Sequence, residues 1–301
     1  MKQILIMLLL WSIATSCQKS QENTTDTIDS TDNAESSEAF EAKRRSFYNN
    51  LLAPAEAAAQ IQATAAEFHP GLMSDPKKFS QYTGSEVKAA ANMGIYLSDL
   101  NYSIAYSQSA TSKEYFRAAH ELSKSTGIER EVLEFLMKRY NENISKNDSL
   151  KSVANDLLVK ATGKLQGTDK EKLAGVAMAA YQIENLHLAL GVLASYPKDL
   201  LPKDARTVIL IPLFKVVLGQ RTNVENIYNF LKAYSDPQDP DQNPNYYYYA
   251  NAFEELIQVY KKLNVEEKIA NNQGAELMND AVIKELSQKV NAIRNKILST
   301  E

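Results

Sequence analysis

The sequence predicts an all-α fold, a single bundle-like domain of about 8–10 helices. From about Ala39 onward, apolar residues recur at the three- and four-residue spacing of a helix. Alternating β-branched runs are rare, and the chain of 301 residues has only ten glycines. At this length, with 44% hydrophobic residues, the chain can enclose one sizeable helical core or two small ones.

The helical pattern divides into segments with recognisable starts and breaks. The predicted helices span 39–68, 84–109, 112–126, 128–145, 148–165, 169–196, 203–219, 222–235, 245–264 and 275–299. Four Thr-x-x-Glu sequences mark predicted helix starts, at Thr83, Thr111, Thr126 and Thr168. Pro54 is expected to break or bend the first helix. The run VILIPLF at 208–214 looks like a strand, but Pro212 argues against a central strand and favours a buried, bent helix.

Two predicted helices are apolar nearly all round, in the stretches Val87–Tyr106 and Leu173–Tyr196. Such helices are covered by neighbours on several sides, so we expect the two to contact each other in the core. Gly94, Gly175 and Gly191 lie inside them, although a glycine within a helix costs up to about 1 kcal/mol relative to alanine. Close helix–helix approach would compensate for that cost, and we expect Gly94 and Gly175 to lie at the contact of these two helices.

The start of the chain has the organisation of a secretory signal. Met1-Lys2 is a short positive region, Ile4–Trp11 is apolar, and Ala14–Ser16 supplies small residues. The apolar run is far shorter than the roughly 18 residues that a membrane-spanning helix needs. The sequence therefore predicts a cleaved signal peptide at 1–16.

Cys17, the only cysteine, cannot form a disulfide within the chain. The segment Ile13–Cys17 resembles the lipobox of bacterial lipoproteins, with Ala14 where that motif more often has leucine. The resemblance implies cleavage before Cys17 and acylation of that cysteine with a diacylglyceryl group and an amide-linked chain such as palmitate. The expected partner is then the lipid bilayer. The alternative is an ordinary secretory signal with an unrelated cysteine.

The residue after the cysteine bears on the compartment. By resemblance to lipoprotein sorting signals, an aspartate there would favour the inner membrane. The chain has Gln18 instead, so we expect a lipid anchor at the cell envelope, in the outer membrane.

Residues 17–38 are predicted to be the lipidated cysteine and a flexible, disordered tether, followed by the helical domain at 39–301. From Gln18 to Glu38, six residues are acidic, one is basic and eight are serine or threonine. Such a composition buries too little apolar surface to fold. Asp26-Thr27-Ile28 and Asp29-Ser30-Thr31 resemble O-glycosylation sites of Bacteroidetes-type bacteria, and a plain polar linker is the alternative.

The charge of the chain argues against a nucleic-acid partner. The net charge is −4, and removal of 1–16 takes away one lysine and no acid, which gives −5. No basic patch is visible along the sequence. A protein of the envelope or a small ligand is therefore the expected partner, and nucleic acid is not.

No catalytic motif is present. The sequence has no His-Glu-x-x-His, P-loop, Gly-x-Ser-x-Gly or Gly-x-Gly-x-x-Gly motif. Glu184 and His187 share a helix face, as in the Glu-x-x-His pairs of di-iron bundles, but those proteins use two such pairs and this chain has one. We therefore expect neither a cofactor nor a metal site.

Polar residues that interrupt the two apolar helices are the best candidates for a site. Asp99 and Tyr102 lie in the first helix, and Glu184 and His187 lie in the second. Buried carboxylates are rarely left unpaired. These residues therefore form a solvent-facing stripe, a hydrogen-bonded core network, or the lining of a ligand pocket.

A second candidate site is the run of four tyrosines that begins with Tyr246 and Tyr247. Successive helical residues point in different directions, so some of these rings should be partly exposed. Tyrosine is favoured where one end is buried and the other wet. The run either packs the start of a helix onto the core or forms a carbohydrate- or partner-binding rim.

The stretches 92–108 and 181–189 resemble a group of Bacteroidetes-type exported lipoproteins of unknown function. The first matches a Gly-x-Tyr-x-x-Asp-Leu-x-Tyr pattern through Gly94, Tyr96, Asp99, Leu100 and Tyr102. The second matches through Glu184 and Leu186. The resemblance covers about 25 residues of the two stretches and implies a compartment, not an activity.

Two hypotheses about function follow. The first is a membrane-anchored envelope lipoprotein that binds a partner or ligand without catalysis. The alternative is a hydrolase-like enzyme that uses a buried carboxylate pair, Asp99 and Glu184, whose pKa values burial could suit to acid–base work. An open pocket holding both carboxylates would favour the enzyme, and a dry, paired core would favour the binding protein.

Overall fold

The computed structural model describes residues 30–50, 53–126, 134, 138–142, 147–163, 165–168, 170–196, 203–235, 244–264 and 281–300. This part of the chain contains ten α-helices and no strand, so the all-α prediction is confirmed. The helices are α1 (Ser30–Asn49), α2 (Ala57–Ala63), α3 (Glu86–Ala105), α4 (Ser109–Ser123), α5 (Asn147–Gly163), α6 (Glu171–Ser195), α7 (Lys203–Gly219), α8 (Arg221–Ala233), α9 (Pro244–Lys262) and α10 (Ala281–Leu298).

The described chain begins with a helix that the sequence placed later. Helix α1 starts at Ser30, so the end of the predicted tether, 30–38, is helical. Ala34, Glu35 and Glu38 favour helix, although the other six residues are serine, threonine, aspartate or asparagine. The predicted break at Pro54 is confirmed, because that residue lies in a 3₁₀-helix, Ala53–Glu56, between α1 and α2. The described residues from Ala39 onward belong to one compact unit.

Two predicted features lie wholly or mainly outside the described residues. The first is the start of the chain, which comprises the signal peptide 1–16, Cys17 and the tether up to residue 29. Of the predicted helix 128–145, only residues 134 and 138–142 are described, and these are helical.

Helices α3 and α6 form the centre of the domain. They share the most extensive contact between described helices, which confirms the predicted packing of 84–109 against 169–196. Around this pair, α3 also contacts α4 and α5, while α6 contacts α7, α8 and α10. Nearly every residue of both helices is buried, because each must cover apolar side chains on most of its surface.

The glycines permit close approach at three different contacts. A Cβ atom at Gly94 would lie 2.1 Å from the carbonyl oxygen of Ala177, so α3 and α6 approach backbone to backbone there. Gly175 does not serve that contact, contrary to our expectation. It faces Phe230 on α8, where an added Cβ would lie 2.8 Å from the ring. Gly191 makes room for the side chain of Leu72.

Helix α6 is the one described helix that is long and apolar enough to cross a membrane, with a mean hydropathy of 1.2. Most of it, 89% of that window, is buried inside the protein. A membrane span and a central core helix can have the same composition. In this structure α6 is covered by the helices that pack against it.

The strand-like run 208–214 is helical, as predicted. It lies within α7, which contains Pro212. From Leu210 to Gly219 the helix is buried on one side only, since Leu213 is fully buried while Ile211 is 36% exposed.

One irregular segment determines the site. Residues 69–82 join the end of the first predicted helix to α3 and contain two short 3₁₀-helices, Pro70–Leu72 and Pro76–Tyr82. This 69–82 segment contacts α3, α4 and α6. Because 3₁₀ turns satisfy few of its backbone groups, the remaining N–H and C=O groups need partners from elsewhere.

Candidate functional site

The two acids of the central helices are fully buried. Asp99 on α3 and Glu184 on α6 are each 0% exposed. The other buried acid of the described residues is Glu171, at the first turn of α6. The hydrogen-bond partners of Asp99 and Glu184 show what each carboxylate does in the structure.

Glu184 forms a two-pronged ion pair with Arg294 of α10. The Arg294 Nε atom donates to Glu184 Oε2 at 2.5 Å, and its second guanidinium nitrogen, Nη2, donates to Oε1 at 2.8 Å. The same Nη2 atom donates to the carbonyl oxygen of Leu72 at 3.2 Å. Both oxygens of the buried carboxylate therefore accept a hydrogen bond. This compensation is needed, because a buried charge without a partner is strongly destabilising.

Asp99 holds the middle of the 69–82 segment. Its Oδ2 atom accepts hydrogen bonds from the Ser74 backbone N–H, at 3.0 Å, and from the Ser74 hydroxyl. Tyr115 of α4 donates its hydroxyl to the Ser74 carbonyl oxygen. One buried carboxylate and one buried tyrosine therefore fix both backbone polar groups of Ser74.

Other polar side chains bind the same segment. The Tyr102 hydroxyl accepts from the His69 backbone N–H at 3.1 Å. The Tyr96 hydroxyl donates to the Asp75 carbonyl oxygen at 3.0 Å. The polar residues that interrupt two apolar helices thus replace the backbone hydrogen bonds that an irregular segment cannot make for itself.

His187 joins this network from α6. Its Nε2 atom lies 3.0 Å from the Leu72 carbonyl oxygen, which can only accept, so this nitrogen is the donor. Its Nδ1 atom lies 2.7 Å from the side-chain amide group of Asn291 on α10. The Leu72 carbonyl oxygen therefore accepts hydrogen bonds from two side chains on different helices, Arg294 on α10 and His187 on α6.

Other polar residues of the two central helices also have partners, although the Oδ1 atoms of Asp99 and Asn101 have none among the described residues. Ser98 donates to Asn185 across the α3–α6 contact at 2.8 Å, and Asn185 in turn donates to the Pro54 carbonyl oxygen at 2.7 Å. Asn101 donates to the Tyr181 hydroxyl at 2.6 Å. Of the alternatives that the sequence left open, the structure favours a hydrogen-bonded core network.

The structure therefore brings four of the predicted residues together. Asp99, Tyr102, Glu184 and His187 all contact the 69–82 segment or an arginine that binds it. The sequence did not indicate their partners. Arg294 looks like an ordinary surface cation of an amphipathic helix, and 110 residues separate it from Glu184.

The tyrosine run lies elsewhere, at the start of α9. Tyr246, Tyr247 and Tyr248 are half-buried and Tyr249 is buried, so none of the four is exposed. The ammonium group of Lys172 lies 5.6 Å from the centre of the Tyr246 ring. This arrangement favours packing of the helix start onto the core over an open binding rim.

The electrostatics of Asp99 predict an unusual pH dependence. Burial, and after it the charge of Glu184, raise the pKa of Asp99 well above its ordinary value, against the hydrogen bonds from Ser74. In the unfolded chain the carboxyl group loses its proton at about pH 4, whereas in the folded protein it retains the proton to higher pH. The folded state then binds more protons, so stability falls as pH rises above about 4.

We expect Asp99→Asn to remove this slope, because asparagine can still accept from Ser74 and carries no charge. Urea unfolding between about pH 5 and pH 8 would measure it, with a contribution from Asp99 of up to about 1.4 kcal/mol per pH unit. Replacement of the exposed Glu56 by glutamine should leave the slope in place. An unchanged profile in Asp99→Asn would mean that Asp99 is not the group responsible.

The cavities and the acids do not coincide. Asp99 and Glu184 are 0% exposed, and neither is among the residues that line the cavities at Phe79, His120, Asn226 and Tyr248. Within the same residues, no three histidine, aspartate or glutamate side chains are grouped so as to hold a metal ion. The geometry of the carboxylate pair is that of a structural network.

Comparison with known proteins gives no relative: no family model matches the chain, and neither a curated protein nor a solved structure is significantly similar to it.

Proposed function

We propose that this protein is an envelope lipoprotein, anchored through lipid on Cys17, whose helical domain binds a partner or ligand without catalysis. One observation carries the second half of the proposal. The two acids best suited to catalysis, Asp99 and Glu184, are bound to Ser74 and Arg294 and hold the 69–82 segment in place. A general acid or base must reach a substrate within hydrogen-bond distance, and both carboxylates are 0% exposed.

The anchor is supported by the sequence alone. A signal-like start of residues 1–16, small residues before the single cysteine, and a polar acidic stretch after it are what a tethered lipoprotein needs. Two or more acyl chains provide the stable membrane attachment that one chain does not. Gln18 in place of aspartate supports attachment to the outer membrane.

We expect Cys17→Ser to abolish membrane attachment, because it removes the atom that carries the lipid. The measurement is metabolic labelling with an alkyne fatty acid, together with separation of membrane and soluble fractions. Gln18→Ser is the control, since it changes the neighbouring residue and leaves the cysteine. Labelling or membrane attachment that persists in Cys17→Ser would disprove the anchor.

A further inference from the structure

A groove lies between α4 and the 3₁₀-helix Pro76–Tyr82. Its volume is about 460 Å³. The residues that matter for its chemistry are Lys77, Phe79, Lys113, Glu114, Arg117 and Ala118. We call it the α4 groove. It is distinct from the buried network around Asp99, although the two share the 69–82 segment.

The α4 groove is positively charged. Lys77, Lys113 and Arg117 line it, against a single acid, Glu114. None of these three cations forms an ion pair with another described residue. A local excess of positive charge in a chain of net charge −4 creates a potential that attracts anions.

The groove also has an apolar part. Phe79 is half-buried at one wall, and Ala118 is buried on α4. An aromatic or aliphatic group could rest there while an anionic group meets the cations. Concave sites of this kind combine apolar lining with a few polar groups that fix orientation.

Both walls are connected to the buried network. Ser74 and Asp75 immediately precede the first groove residues, and their backbone is fixed by Asp99 and Tyr96. On the opposite wall, Tyr115 lies between Lys113 and Arg117 in sequence and donates to the Ser74 carbonyl oxygen. The network therefore holds the two walls in a fixed relation, which lowers the ordering cost of binding.

From this geometry we infer that the α4 groove binds a small anionic ligand with an apolar portion, bearing either a carboxylate or a phosphate group. The inference rests on the proposed function, since it names the surface and the ligand class of the binding domain. Lys113 and Arg117, one helical turn apart, bind the anionic group, and Phe79 contacts the apolar portion.

A tryptophan reporter makes the site measurable. The one tryptophan of the chain is Trp11, in the predicted signal peptide, so Phe79→Trp gives the mature protein a single tryptophan at the groove. The mature protein, purified in detergent, is titrated with phenyl phosphate, with 3-phenylpropionate and with the uncharged 3-phenylpropanol. We expect saturable fluorescence changes with an anionic probe and none with the alcohol. Calorimetry on the chain with Phe79 in place checks that the reporter does not create the site.

Charge reversal identifies the binding residues. Lys113→Glu combined with Arg117→Glu should weaken binding of the anionic probe at least about tenfold, the loss expected for one or more charge-assisted hydrogen bonds. The matched control is Lys215→Glu combined with Lys284→Glu, two exposed lysines outside the groove, with the same change of net charge. Circular dichroism spectra and melting temperatures establish that both variants fold.

Each outcome decides between the two claims. Preference for phenyl phosphate or for 3-phenylpropionate identifies the anionic group. The assignment of the α4 groove as the binding site is overturned if neither anion gives a saturable response. It is also overturned if the groove variant and the control variant bind equally. Binding by calorimetry that charge reversal leaves unchanged also overturns the groove but leaves a binding domain. Release of phenol from phenyl phosphate would overturn the non-catalytic function and leave the groove as a site.

Discussion

Replacing Gly94 by leucine is expected to destabilise the domain by at least about 3 kcal/mol, the upper part of the range for overpacked cores. Even the first side-chain atom has no room: a Cβ would lie 2.1 Å from the Ala177 carbonyl oxygen and 2.9 Å from the Tyr181 backbone nitrogen. Both contacts are with backbone, so no change of rotamer relieves them. Helices α3 and α6 would have to separate along the largest contact of the core.

Urea unfolding followed by circular dichroism measures this loss as a lower midpoint at similar slope. Gly163→Ala is the control, because a Cβ added at that helical glycine would have no neighbouring atom within 4 Å. It should change stability by no more than about 1 kcal/mol, in the favourable direction. Gly175→Leu should cost less than Gly94→Leu, since its contacts are the ring of Phe230 and other side chains that can move. A Gly94→Leu midpoint equal to that of the wild type would contradict the backbone contact.

The sequence was informative where one property dominates over a long stretch. Helices α3 and α6 are apolar on most sides, so their burial and their contact with each other follow from the need to cover those sides. Helix starts were less predictable. Thr83 bonds to Ser80 instead of capping α3, which begins after Ser85. Thr168 does lie before α6, where its hydroxyl accepts from the Lys170 backbone N–H.

The acids of the site could be predicted from the sequence, but their partners could not. Asp99 and Glu184 stand out because a carboxylate in an apolar helix must have a partner. The partners do not stand out, because Ser74 and Leu72 belong to a segment without periodicity and contribute backbone atoms that every residue has. Arg294 interacts with that segment across 222 residues of sequence, and no local pattern encodes such a contact. The α4 groove was missed because Lys77 lies far in sequence from Lys113 and Arg117 of α4, and each looks like an ordinary exposed residue on its own.

Removing one partner from the buried ion pair of Glu184 and Arg294 should destabilise the domain far more than removing one partner from a surface pair. Glu184 is fully buried, and the Arg294 side chain is 12% exposed. We expect Arg294→Met to destabilise the domain by about 3–5 kcal/mol, the cost of leaving a buried charge without its partner. The Leu72 carbonyl oxygen also loses a donor, so the 69–82 segment should loosen. Chemical denaturation measures the first effect, and hydrogen exchange in 69–82 measures the second.

A matched control lies on the same helix. Lys289 of α10 pairs with Glu255 at 2.7 Å, but the two side chains are 33% and 64% exposed. Lys289→Met should therefore cost no more than about 1 kcal/mol. If Arg294→Met costs equally little, the buried pair does not hold the segment. The combined Glu184→Leu and Arg294→Met variant should be more stable than Arg294→Met alone, because it leaves no unpaired charge. Its 69–82 segment should still exchange faster than in the wild type, since the Leu72 carbonyl oxygen then keeps only His187 of its two donors.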